Sequence, residues 1–131
     1  MKTPADSTPG AVCLLDDDAS VLRSMQYLLA SDGIAVRAFN KPEEFLAHAA
    51  TNRVPVVVTD IWMPGITGLE ILARTCALNP RPRVIVITAR DDLAARATAM
   101  AVGPAAFFIK PFNDEQFLAA VHDALAQAGK V

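Results

Sequence analysis

Short apolar runs alternate along the chain with stretches whose apolar positions fall three or four residues apart, so strands and helices are expected to alternate. The run AVCLL, residues 11–15, stops at Asp16, Asp17 and Asp18; Val21, Leu22, Met25, Leu28 and Leu29 then form one helical stripe closed by the turn pair Asp32-Gly33. IAVRAF, residues 34–39, predicts a second strand, after which Asn40 can cap a helix that has Pro42 in its first turn and buries Phe45, Leu46 and Ala49. Pro55 precedes a third strand, Val56 to Thr59, where it need not donate to a ladder. A helix over Gly68 to Leu78 would turn Leu69, Leu72 and Cys76 inward and end at Asn79-Pro80. RVIVIT, residues 83–88, is the fourth strand; an alanine-rich helix follows from about Asp92 to Val102 and stops at Gly103-Pro104. AFFI, residues 106–109, is the fifth strand, and Asn113 caps a last helix carrying Phe117, Leu118, Val121 and Leu125.

Four of the five strand segments are continuous apolar runs rather than alternating ones. Such strands are buried on both faces, which calls for a parallel α/β sheet with helices on each side. Right-handed crossovers leave the doubly wound sheet as the leading topology.

With 131 residues, 53% of them apolar and 20% charged, the chain suits one globular domain, expected over residues 10–128. The polar, aperiodic start, residues 1–9, is read as a disordered tail. No stretch of about 18 apolar residues occurs, so no membrane association is expected. Twelve basic against fourteen acidic side chains leave a formal charge of −2, which offers no general attraction to nucleic acid. Cys13 and Cys76 lack CxxC or histidine-ligand spacing and read as packing thiols in a reducing, cytoplasmic compartment; His48 and His122 read as surface groups.

In an open α/β sheet, ligands meet the carboxyl ends of the strands. Those ends carry Asp16 and Asp17, Asp60, Thr88 and Lys110. At ~5 Å and an effective dielectric of ~20, each carboxylate pair repels by about 3 kcal/mol. One lysine against three carboxylates leaves room for a divalent cation, and hard oxygen ligands favour Mg²⁺ (or Mn²⁺) over zinc. Such a site suits phosphoryl transfer: Asp60 as nucleophile, Lys110 and the cation neutralising phosphoryl oxygens, and the Thr88 hydroxyl donating to one of them.

The motifs LLDDD, VVVTDIWMPGITGLE, VIVITA and FFIKPF, in this order and spacing, resemble the receiver domain of bacterial two-component response regulators from Ala11 to about Ala126. The fold expected is the flavodoxin-like sheet with strand order 2-1-3-4-5. The resemblance implies that Asp60 takes a phosphoryl group from a sensor histidine kinase, a histidine phosphotransfer protein or a small donor such as acetyl phosphate. Asp17, Asp60 and the main-chain carbonyl of Trp62 would bind Mg²⁺, with Asp16 assisting through water. Thr88 and Lys110 would hold the phosphoryl oxygens, Lys110-Pro111 would be a cis peptide, and Phe107 would be the aromatic that moves with Thr88. Such a domain is not an enzyme on external substrates; it catalyses only its own phosphorylation and dephosphorylation. The face of the fourth helix, fifth strand and fifth helix would read the signal out to an output domain, a partner protein or a second copy of the chain. The motif wording leans toward regulators of transcription whose output domain is helix-turn-helix.

Two positions depart from the family pattern. Pro104 after Gly103 stiffens the loop before the fifth strand, and Trp62 is larger than usual two residues after the acceptor. With Ala89 and Arg90 also flanking the phosphate access route, Trp62 and Arg90 are expected to stack and to hinder hydrolysing water; the alternative is an exposed indole that meets a partner protein. Two other functions fail on chemistry. A flavodoxin-type carrier would need to cradle a flavin phosphate where three aspartates stand. A haloacid dehalogenase-type hydrolase needs a second carboxylate at the position of Trp62. The remaining alternative is a receiver-like interaction module that works without phosphorylation.

Overall fold

Each strand is too short to be stable alone, and its apolar side chains on both faces must be covered at once. A computed structural model describes residues 11–89 and 92–128; the stretch 1–9 and Arg90 lie outside the described residues. The elements run β1 (Val12–Leu15), α1 (Ala19–Ser31), β2 (Val36–Phe39), α2 (Pro42–Thr51), β3 (Val56–Asp60), α3 (Gly68–Thr75), β4 (Arg83–Thr88), α4 (Leu93–Val102), β5 (Ala106–Ile109) and α5 (Asp114–Ala128). All strand pairs are parallel and the order is β2-β1-β3-β4-β5, the flavodoxin-like doubly wound sheet.

Alternate strand residues feed two cores. Val12, Leu14, Val56, Val58, Ile85 and Ile87 pack with Leu22, Met25 and Leu29 of α1 and with Phe117, Val121 and Ala124 of α5. Cys13, Leu15, Val57, Val84 and Val86 pack on the other face with Phe45 of α2, Ile71 and Leu72 of α3, and Ala95 and Ala99 of α4. Phe45 and Phe117 are the largest fully buried side chains, one in each layer. The weak apolar stripe of α4 suffices because alanine lets the helix backbone approach the sheet closely, and Asp92 caps it by accepting from the amides of Ala94 and Ala95. Burial pushes the Cys13 thiol up to about 12, which makes it an inert packing group.

Several boundaries differ from those expected. β2 begins at Val36 rather than Ile34, because the Ile34 amide donates to the Leu29 carbonyl in the turn that ends α1, with Gly33 at φ 76°. The residue at the N-cap of α2 is Lys41, not Asn40; it makes no side-chain cap, and Glu43 and Glu44 face the positive helix end instead. α3 stops at Thr75 rather than Leu78, since the amides of Ala77 and Leu78 bond three residues back, to Arg74 and Thr75. Leu46, Leu69 and Cys76 are half-buried edges of their helix faces; Ile71, Leu72 and Thr75 are the buried residues of α3. The peptides Asn79-Pro80 and Lys110-Pro111 are both cis.

One close approach ties α3 to the end of β3. A Cβ on Gly68 would lie 2.1 Å from the backbone oxygen of Asp60, and the Gly68 amide donates to the Ile61 carbonyl at 2.9 Å. No side chain fits there without moving backbone. Gly68→Ala should therefore destabilise the domain by about 2–4 kcal/mol, although alanine is the better helix former; urea denaturation checks this, and a neutral or stabilising result would show that the helix can retreat freely.

Candidate functional site

The strand register sets which polar side chains meet. Leu15 pairs with Thr59, Asp60 with Ile87, and Thr88 with Ile109, so the residues that end or follow β1, β3, β4 and β5 share one sheet edge. Ladder-like bonds continue one step beyond the strands: the Ile61 amide donates to Ile87 at 3.1 Å and the Lys110 amide to Thr88 at 2.7 Å. Asp16, Asp60, Thr88 and Lys110 are thereby placed by backbone that is itself buried or paired.

The three aspartates after β1 have separate tasks. Asp18 caps α1, its Oδ1 accepting from the amides of Ser20 and Val21 at 2.9 and 3.3 Å. Asp16 is 2% exposed; its Oδ1 accepts from the Asp18 amide at 2.9 Å and its Oδ2 takes the Lys110 ammonium at 3.1 Å. Asp17 stays exposed at the rim. One carboxylate oxygen from each of Asp16, Asp17 and Asp60 can be chosen so that all lie within 4.8 Å of one another.

Asp60 is the strained member of this group. It is 7% exposed, and its Oδ1 is buried with no hydrogen-bond partner among the described residues. Burial first, and the Asp16 carboxylate second, push its carboxyl up from 3.8 to about 6, against the pull of Lys110. A buried, unsatisfied carboxylate oxygen beside two more carboxylates is a donor set for a hard divalent cation. The residues present fit Mg²⁺: Asp16, Asp17 and Asp60 would hold it.

Thr88 is buried at the end of β4, Ala89 beyond it is exposed, and Phe107 on β5 is half-buried against the core layer that contains Val86, Ala95 and Ala99. Trp62 is not an exposed indole: it is half-buried and packs against the same layer, with its Nε1 shut off from solvent. The expected stack of Trp62 on Arg90 falls on a residue outside the described ones. His48 is half-buried with its ring 5.4 Å from that of Phe39, whereas His122 is exposed and pairs with Asp32 at 2.6 Å. Two residues that matter here went unread in the sequence. Asp18 as a cap was available from its position just before a helical stripe; Gly68 was not, because its role is a contact with another element.

An apolar groove of about 430 Å³ adjoins the site, lined by Val21, Met25 and Leu28 of α1 and by Lys110, Pro111 and Phe112. A second hollow of about 360 Å³, lined by Arg53, Arg81 and Arg83, lies at the opposite sheet edge, away from the carboxylates.

Comparison with known proteins agrees with this geometry. The family model described as response regulator receiver domain matches residues 12–122. The transcriptional regulatory protein FixJ of Azorhizobium caulinodans is 37% identical over 119 residues, covering 91% of this chain and 56% of that protein, so the chain spans about half the length of such a relative. A response regulator receiver protein from Burkholderia phymatum is 40% identical with a TM-score of 0.77, covering 88% of this chain and 94% of that one. The beryllofluoride-activated NtrC4 receiver domain dimer gives 27% identity and a TM-score of 0.83, over 91% and 98% of the two chains. By fold, site geometry and sequence, the chain belongs to the response regulator receiver domain family.

Proposed function

We propose that the chain is a phosphoacceptor switch in which Asp60 receives a phosphoryl group from a phosphohistidine of a sensor kinase or phosphotransfer protein. The observation that carries this reading is Asp60 itself: a buried carboxylate with an unsatisfied oxygen, set among Asp16, Asp17 and Lys110. A carboxylate oxygen attacks phosphorus; the new O–P bond forms as the P–N bond to the donor imidazole breaks, and the imidazole leaves with the bonding pair. Lys110 faces the charge that grows on the phosphoryl oxygens, and the Thr88 hydroxyl donates to one of them. Bound Mg²⁺ would neutralise a further part of that charge. The adjoining groove supports a protein donor in this reading: it shares Lys110 with the site and is lined by Val21, Leu28 and Phe112, against which a partner's apolar helix would lie while its phosphohistidine meets Asp60.

The output is a shift between two arrangements of Thr88 and Phe107. Leu93, 79% exposed, and Met100, 54% exposed, lie one above the other on α4 and give the α4–β5–α5 face an apolar surface for an output domain or a second copy. The dimeric NtrC4 neighbour and the transcriptional regulators among the relatives support that reading.

Three measurements test it. Incubation with acetyl phosphate and Mg²⁺ should add the mass of one phosphoryl group, and Asp60→Asn should abolish the gain; no gain in the unaltered protein favours the phosphorylation-independent module instead. Leu28→Glu should slow transfer from a phosphohistidine protein roughly tenfold more than transfer from acetyl phosphate, and equal slowing would remove the groove from the donor's path. The third concerns pH. Because the Asp60 carboxyl is raised to about 6 in the fold, its contribution to stability is complete below about pH 4 and is lost as pH rises through 6. Asp60→Asn should then stabilise the metal-free protein at pH 7.5 by up to roughly 3 kcal/mol. The gain should vanish near pH 4 and shrink with Mg²⁺. Thermal melts with chelator or Mg²⁺ read this directly; a gain independent of pH would assign it to packing.

A further inference from the structure

Phe107 lies under a charge from the neighbouring helix. The guanidinium carbon of Arg96 on α4 is 5.4 Å from the centroid of the Phe107 ring, within the range of a cation–π contact. Arg96 is exposed and pairs with no carboxylate among the described residues, so the ring is the partner that its guanidinium faces. The contact joins α4, whose outer face carries Leu93 and Met100, to β5.

The register gives this pair its importance. Phe107 pairs with Val86, and Thr88 with Ile109, one alternation further along. Val84 and Val86 pack into the layer that also receives Phe107, and Thr88 continues the same alternation of β4. Thr88 and Phe107 are thus neighbouring rows on one sheet face, and space that Thr88 vacates opens toward the ring. To enter it, the ring must move out from under Arg96.

Resting on the reading of Asp60 as phosphoacceptor and Phe107 as its moving aromatic, we infer that Arg96 is a positioning residue that latches Phe107 in the unphosphorylated arrangement. The latch sets how much of the phosphorylation signal is spent on releasing the ring. Removing it should favour the phosphorylated arrangement by about two- to fivefold, the size of an exposed cation–π contact.

Beryllofluoride with Mg²⁺ serves as the phosphoryl mimic, and Trp62, the single tryptophan of the chain and two residues from Asp60, supplies the fluorescence readout. Arg96→Ala should bind the mimic about two- to fivefold tighter than the unaltered protein. Arg96→Lys, which keeps a cation over the ring, should stay nearer to the unaltered protein. On a Phe107→Leu background, which keeps an apolar side chain but no π face, Arg96→Ala should change nothing. Unchanged or weaker binding by Arg96→Ala, or the same tightening on the Phe107→Leu background, overturns the latch alone. Failure of the unaltered protein to bind the mimic overturns the phosphoacceptor reading and the latch with it.

Discussion

The structure is organised around a repulsion. Asp16, Asp17 and Asp60 are brought within 4.8 Å of one another, with the Lys110 ammonium as the nearby counter-charge and Asp16 as its partner. At such distances each carboxylate pair costs about 3 kcal/mol at an effective dielectric of ~20. A surface loop would relax by turning the side chains apart. Here Asp16 and Asp60 sit at the ends of buried parallel strands, where the Asp16 amide bonds to Phe39 and the amide after Asp60 to Ile87, and the Asp16 carboxylate is tied to the Asp18 amide and to Lys110. The sheet therefore holds together charge that would otherwise disperse, and three carboxylates beside one ammonium make this edge a donor set for a hard cation.

The rest of the fold serves that rigidity. The valines and isoleucines of β1, β3 and β4 are covered on both faces, so the strands have no polar side on which to slide in register. Gly68 lets α3 sit directly against the Asp60 carbonyl, while Thr59 donates its hydroxyl to the same oxygen at 2.9 Å. The Asp60 backbone is thus fixed from two directions, whereas its side-chain Oδ1 is left unsatisfied among the described residues. Stability and reactivity are divided between main chain and side chain of one residue.

Much of this was legible from the sequence because it is carried by periodicity and position. Unbroken apolar runs with polar residues at their carboxyl ends indicate a doubly wound parallel sheet and also the edge where chemistry gathers, so Asp16, Asp60, Thr88 and Lys110 could be named from order alone. What could not be read depends on competition between local bonds or on contacts between elements. Ile34 looks like strand, but its amide is taken by the preceding helix; Asn40 is a good cap, but the chain enters α2 one residue later. Gly68 looks like a poor first residue for a helix, and its value lies in what a Cβ would strike. Trp62 stands in the loop after β3, where an exposed indole is one of the two expectations, yet its indole folds onto the core. The Arg96–Phe107 contact joins residues eleven positions apart whose meeting needs both α4 and β5 in place.

The same architecture explains why the basic hollow at the far edge is structural. In a doubly wound sheet the helices after each strand begin near its carboxyl end, so their positive ends lie toward the carboxylates, where Asp18 and Asp92 cap α1 and α4. Their negative ends point to the opposite edge. There Arg53 donates to the carbonyl of Ala128 at the end of α5, and Arg81 to the carbonyls of Val102 and Gly103 at the end of α4. These guanidinium groups answer unpaired carbonyls and helix dipoles, and an anion entering the hollow would meet both as competitors. The molecule is thus polarised end to end by its helices: aspartate caps answer the amide ends of α1 and α4 at the edge that carries Asp60, and guanidinium groups answer the carbonyl ends of α4 and α5 at the other.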